Sequence, residues 1–142
     1  MFNVICDSVI SGTVNLIDTA DNFRYCKSER TVGAALSYLI NQKHFQRNEL
    51  IISSKGGFIA EDADLGLNRR DIIEQLIKEN VIDSETQIRE GHCLEAKYIE
   101  KQFESSRRRI GVSTLDFYSI NLPELHLPYM SRQEFFDKLL VS

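Results

Sequence analysis

No apolar stretch in this sequence approaches the roughly 18 residues that span a bilayer. The N-terminus has neither the basic start nor the apolar core of a secretory signal. Together these absences make the cytoplasm the expected location. Cysteine is sparse, with Cys6, Cys26 and Cys93 the only three. An odd number gives no disulfide framework, and no two of them have metal-ligand spacing. His92 and Cys93 are adjacent rather than spaced for chelation, so no metal and reduced thiols are expected. Positive charge is not in excess either: the formal net charge of −4 argues against general binding to nucleic acid or to an anionic membrane. The run Arg107-Arg108-Arg109 has acids around it in sequence and reads as a solvated helix face. There is no internal repeat, no low-complexity segment and no glycine-rich phosphate loop, since Gly56-Gly57 is too little to count.

What is present suits one modest globular domain over residues 1–142, with hydrophobic content of 42% and charged content of 27%. Phe2 to Ile10 reads as a short helix, ending at Gly12 in a turn. Val14–Thr19 is an apolar run that ends in an acid, and reads as a buried strand. Ser28 is a candidate N-cap with Glu29 in the first turn, where the helix dipole favours an acid. Val32, Ala35, Leu36, Leu39 and Ile40 then fall on one helical face. Gly33 in that helix costs about 1 kcal/mol relative to Ala, which close packing against a strand would explain. Leu50–Lys55 reads as a second buried strand. The connection after Gly56-Gly57 contains a helix over about 69–80, with Ile72, Ile73, Leu76 and Ile77 inward, and then an irregular stretch over 81–93.

A further helix over about 95–110 turns Ile99, Phe103 and Ile110 to one side and stops at Gly111. Thr114–Ile120 is the third strand. Pro123 and Pro128, the sole prolines, bracket a loop. Ser131-Arg132-Gln133-Glu134 is a capping box for a last helix that carries Phe135, Phe136, Leu139 and Leu140. Strands alternating with helices imply right-handed βαβ units around a parallel sheet.

Asp18, Lys55 and Asn121 each stand where a strand ends, and in parallel α/β folds sites form at the C-terminal ends of strands. Each has a plain alternative, such as a cap or a solvated lysine, but three polar residues at three successive strand ends make a pattern. A lysine held against a carboxylate keeps both groups ionised. A phenol bonded to that lysine would have its pKa lowered and could protonate a carbonyl oxygen. Hydride would have to come from a nicotinamide cofactor, because no side chain supplies one.

Asn15-Leu16-Ile17-Asp18-Thr19-Ala20, then Ser28-Glu29-Arg30 and Val32-Gly33-Ala34-Ala35-Leu36, resemble the aldo-keto reductase pattern N-x-I-D-T-A … S-E-x-x-x-G-x-A-L. Leu50–Lys55 resembles that family's strand ending in the active-site lysine. Leu115–Glu124 resembles its D-L-Y-x-L-H-x-P-E segment, and the stretch from Gly91 to Arg108 its preceding helix in one bacterial-type branch. The similarity covers most of residues 10–140. It implies NADP as cofactor, a small-molecule carbonyl as substrate, and a catalytic set of aspartate, tyrosine, lysine and histidine. Asp18 matches the aspartate and Lys55 the lysine. Phe23 stands at the tyrosine position and Asn121 at the histidine position. Tyr25 and His126 lie nearby in sequence, but neither is an obvious substitute. Loss of a positioned acid typically costs about 10²–10⁴ in rate.

The family fold is a (β/α)8 barrel, usually of about 250 residues or more. The resemblance here is to strands two to four with their helices. It therefore implies an incomplete barrel, without the half that makes most of the family's cofactor contacts. An open three-stranded piece would leave sheet edges unpaired and apolar faces exposed. Three readings follow: an NADP-dependent oxidoreductase domain fragment with impaired or absent activity; a non-catalytic interaction module, pairing with a protein partner or with itself through the open barrel edge; or a fragment of a longer, active oxidoreductase.

Overall fold

The computed structural model describes residues 1–141; Ser142, the last residue of the expected domain, lies outside them. Helix α1 (Phe2–Ile10) buries Cys6 and Val9 and ends in a turn in which Gly12 has φ +72°. The chain does not enter its first strand at Val14. The Val14 amide points back to the Ser8 carbonyl at 3.4 Å, so β1 is confined to Leu16–Asp18. Strands β2 (Ile51–Gly56) and β5 (Phe117–Ile120) join it in one parallel sheet of order β1-β2-β5. Leu16 faces Ile51, Asp18 faces Ser53, and Lys55 faces Ser119. Two short antiparallel strands, β3 (Ile88–Arg89) and β4 (His92–Cys93), form a separate hairpin. That hairpin corrects the expectation of irregular chain over 81–93. Two residues per strand are too few to produce a visible alternation.

Side chains alternate across a strand, and here the two faces of the main sheet differ. Ile17 and Ile52 pack into a core with Val32, Leu36 and Leu39 of helix α2 (Lys27–Lys43), with Cys6 and Val9 of α1, and with Ile110 and Leu115. The opposite face carries Leu16, Asp18, Ser53, Lys55 and Phe117; Leu16 is 49% and Phe117 60% exposed. The expected strands buried on both sides are therefore covered on one side only. Three strands do not close into a barrel, so the side that a closed barrel would turn inward meets solvent.

Helix α2 begins earlier than expected. Its N-cap is Cys26, not Ser28, because Arg24, Tyr25 and Cys26 all have positive φ and lead the chain into the helix through a left-handed turn. Ser28 instead lies buried in the first turn, where its hydroxyl accepts from the Thr19 hydroxyl at 2.9 Å. Gly33 is required by a neighbouring helix, not by a strand: a Cβ there would stand 2.5 Å from the Ile110 carbonyl oxygen.

Helix α3 (Arg69–Lys78) is capped by the Asn68 side chain, which accepts from the Asp71 amide at 3.0 Å. It packs Leu76 into a second core with Ile59, Ile82, Cys93, Tyr98 and Ile99. Helix α4 (Ala96–Ile110) serves both cores, with Ile110 in the first and Tyr98 and Ile99 in the second, and Gly111 at φ +77° ends it. Arg109 departs from the expected solvated face. Its Nε donates to the Glu29 carboxylate at 2.5 Å, its side chain is 17% exposed, and Glu29 is fully buried. Helix α5 (Arg132–Val141) has the expected capping box: the Ser131 amide donates to Glu134 Oε2 at 2.8 Å and the Glu134 amide to the Ser131 hydroxyl at 3.2 Å. Among the described residues, no helix is long and apolar enough to cross a membrane.

Candidate functional site

Asp18 is the last residue of β1 and Lys55 the penultimate residue of β2. Two residues of register separate Asp18, opposite Ser53, from Lys55 on the same face. A lysine side chain spans that distance, and Lys55 Nζ donates to Asp18 Oδ2. Asp18 Oδ1 accepts from the Ser53 hydroxyl at 2.7 Å. Lys55 Nζ also donates to the Thr19 carbonyl at 3.0 Å. Burial works to raise the Asp18 carboxyl's pKa. The hydrogen bonds from Lys55 and Ser53 and the positive charge of Lys55 outweigh it, and the net shift is downward. The acceptor and donor directions of the pair are fixed by three contacts.

Phe23 lies in the loop after β1, and its ring centroid is 5.6 Å from Lys55 Nζ. That is within cation–π range, about 6 Å. The ring is 45% exposed. The structure thus brings Asp18, Lys55 and Phe23 together, with an aromatic ring over the lysine and no hydroxyl on it. Asn121 follows β5 directly, and its amide donates to the Gly56 carbonyl at 2.7 Å. This extends the β2–β5 ladder one residue past Lys55. Tyr25 is 60% exposed. His126 is buried, with its Nε2 3.1 Å from His92 Nδ1 in a pair on which burial lowers both imidazole pKa values, that of His92 to about 4.

Three groups of polar contacts were not foreseen in the sequence. Ser53, which fixes Asp18, was findable, because it lies two positions from Lys55 and period 2 puts it on the same face. Glu29, Ser54 and Arg109 form a buried cluster in which Glu29 accepts from the Ser54 hydroxyl at 2.6 Å and from Arg109. Asp21 is 1% exposed and accepts from the Gln102 side-chain amide. Contacts from Glu29 to Arg109 and from Asp21 to Gln102 join residues some eighty positions apart, and no local pattern announces them.

The described residues thus bring an acid–lysine pair to the ends of two adjacent parallel strands, with an aromatic ring over the lysine. The sequence profile of the Aldo/keto reductase family matches residues 3–141. The chain belongs to that family. Its fold is a (β/α)8 barrel; the described residues form parallel strands with helices and no closed barrel, a part of that fold. No curated protein matches the chain in sequence comparison.

Family members typically use NAD(P)H. The two cavities described, each about 210 Å³, lie away from the Asp18–Lys55 face. Both fall below the roughly 300–1,000 Å³ of sites that engulf a drug-sized ligand. The positive groups that line the first, Lys101 and Arg109, are already engaged by Glu79 and Glu29. Neither of these two cavities, formed by the described residues, is large enough to enclose a dinucleotide. Among them there is also no group of three or more His, Cys, Asp or Glu side chains able to hold a metal ion.

Because the folded-state pKa of Asp18 is lowered, its share of stability is present above the unfolded value. It is lost as pH falls through the folded value. In Lys55→Met the donor and its charge are gone while Ser53 stays. The Asp18 carboxyl should then titrate at higher pH by carbon-detected NMR, and stability should fall less steeply on the acid side. An unchanged Asp18 titration in this variant would contradict the pairing.

Proposed function

We propose that this chain is an aldo/keto-reductase-family scaffold whose ancestral activity is NADP-dependent carbonyl reduction, and in which that activity is impaired or absent. The observation that supports this most is the Phe23 ring over Lys55 Nζ. Carbonyl reduction needs a hydride at carbon and a proton at oxygen. Asp18 and Lys55 can hold a positive charge beside a carbonyl oxygen and polarise it. The proton, though, has to come from an acid positioned in the transition state, and Phe23 has none to give. Asn121 can donate a hydrogen bond but does not titrate. Such a loss costs about 10²–10⁴ in rate.

The expected outcome is no NADPH-dependent reduction of a panel of small aldehydes above background, followed at 340 nm. The Phe23→Tyr/Asn121→His double variant should stay inactive, because neither cavity described above is large enough for the dinucleotide. Wild-type turnover undiminished by the missing acid, or rescue by the double variant, would overturn the proposal, as would NADPH binding in the micromolar range.

One observation favours a second reading, that of an interaction module. Leu16, Ile51 and Phe117 share the open face of a sheet whose two outer strands, β1 and β5, have no further neighbour among the described residues. Unpaired strand edges next to exposed apolar side chains invite pairing with another chain. On this reading the covering surface is a protein partner or a second copy, and light scattering after size exclusion should show self-association that Phe117→Asp weakens. A protein that stays monomeric across a wide concentration range, melts cooperatively and gains nothing in solubility from Phe117→Asp would rule against it.

A further inference from the structure

The second cavity, of about 210 Å³, lies between the turn before β3, the β3–β4 hairpin, the segment after β5 and helix α5. Its walls include Leu94, Tyr129 and Met130, and its charged lining groups are Arg89, Glu95 and Lys138. A cavity on the order of 150 Å³ is enough for a benzene-sized molecule. Neither Asp18 nor Lys55 lines this space, so it is separate from the strand-end pair described above.

Glu95 and Lys138 meet each other at 2.5 Å. Arg89 is half-buried and forms no ion pair among the described residues. In this it stands apart from the other half-buried arginines. Arg30, Arg47, Arg107 and Arg109 each have a carboxylate within 3.2 Å. Arg89 Nη1 donates to the Ile88 carbonyl at 3.4 Å. Its Nε and Nη2, which share one edge of the guanidinium, have no hydrogen-bond partner among the described residues and are not sealed from solvent. The guanidinium is also held in place. Its Cζ stands 5.0 Å from the centroid of the Tyr129 ring, within cation–π range. The Tyr129 hydroxyl donates to Glu90 Oε1 at 2.9 Å, which anchors the ring and occupies the nearest acid in sequence. His126 lines the same space but is taken up by His92 at 3.1 Å. A planar cation with two free donors on one edge matches a carboxylate, which it can bind through both oxygens at once.

We propose that this cavity binds a small monocarboxylic acid as its anion, with the carboxylate on the Nε–Nη2 edge of Arg89 and a compact apolar body against Leu94 and Met130. The carboxylate supplies the countercharge that every other half-buried arginine already has. The apolar walls take a body of about the size of one ring. Glu95 does not exclude the anion, because Lys138 is set against its charge. A neutral molecule of the same shape would fill the space but leave the guanidinium without its counterpart.

The test is titration of the whole chain with sodium benzoate at neutral pH, followed by amide and arginine Nε–H shifts in NMR. Benzamide is the neutral match and inorganic phosphate the anion without an apolar body. The expected dissociation constant for benzoate is on the order of 1 mM for so small a ligand, with shifts at the Arg89 Nε–H and in the β3–β4 hairpin. Benzamide and phosphate should each bind about tenfold more weakly or not at all. Arg89→Gln should lose benzoate binding, and Arg89→Lys, which keeps the charge but not the fork, should retain part of it. Thr86 lines the same cavity and is exposed. Thr86→Phe should therefore obstruct the space and lose benzoate while Arg89 is intact, which keeps the test open if Arg89→Gln does not fold. Equal binding of benzamide or of phosphate, retention of benzoate in Arg89→Gln or Thr86→Phe, or no shift at Arg89 would each overturn the proposal.

Discussion

The buried ion pair between Glu29 and Arg109 ties the helical layer to the sheet. Glu29 comes from the first turn of α2 and Arg109 from the last turn of α4, and Ser54 of β2 closes the group through its hydroxyl. A carboxylate with no exposure is tolerable only when a cation and hydrogen bonds meet it. These three residues therefore fix where two helices sit on the central strand. Gly33 depends on the same crossing. It lets α2 come so close to the end of α4 that a single added carbon would strike the Ile110 carbonyl.

The charge of Glu29 also acts at a distance. It is the second cause, after burial, of the raised Asp21 pKa, and Arg109 works against it. One pair thus shapes the packing of α2 on α4 and the electrostatics of the cavity beside them. The Asp18–Lys55 pair is its exposed counterpart. Asp18 and Lys55 lie on the open face of the sheet and are partly solvated, so their pairing orients two functional groups more than it stabilises the fold.

Much of the fold was legible in the sequence because the cues are local. The spacing of Val32, Leu36 and Leu39, the capping box at Ser131 and the stop at Gly111 all appear in the structure where the residues place them. The start of α2 was not legible, because three successive left-handed residues, none of them glycine, have no sequence signature. The one-sided burial of the strands was also hidden. An apolar run such as Leu50-Ile51-Ile52 reads as fully buried, and whether a second layer covers it depends on chain closure. At the site, Asp18 and Lys55 were legible from the strand ends, and Phe23 joined them only through the resemblance to the family. The buried polar clusters were not, since Arg109 looks like one of three surface arginines until the fold brings Glu29 to it.

The most direct measurement is a double-mutant cycle on Glu29 and Arg109, read as unfolding free energy in urea. If the pair organises the layers as described, Arg109→Met and Glu29→Gln should each be clearly destabilising, the arginine change by about 3–5 kcal/mol because it strands a buried carboxylate. The double variant should then lose less than the two single losses combined, with a coupling above about 1 kcal/mol. Single effects that simply add, or an Arg109→Met protein as stable as the parent, would contradict the account.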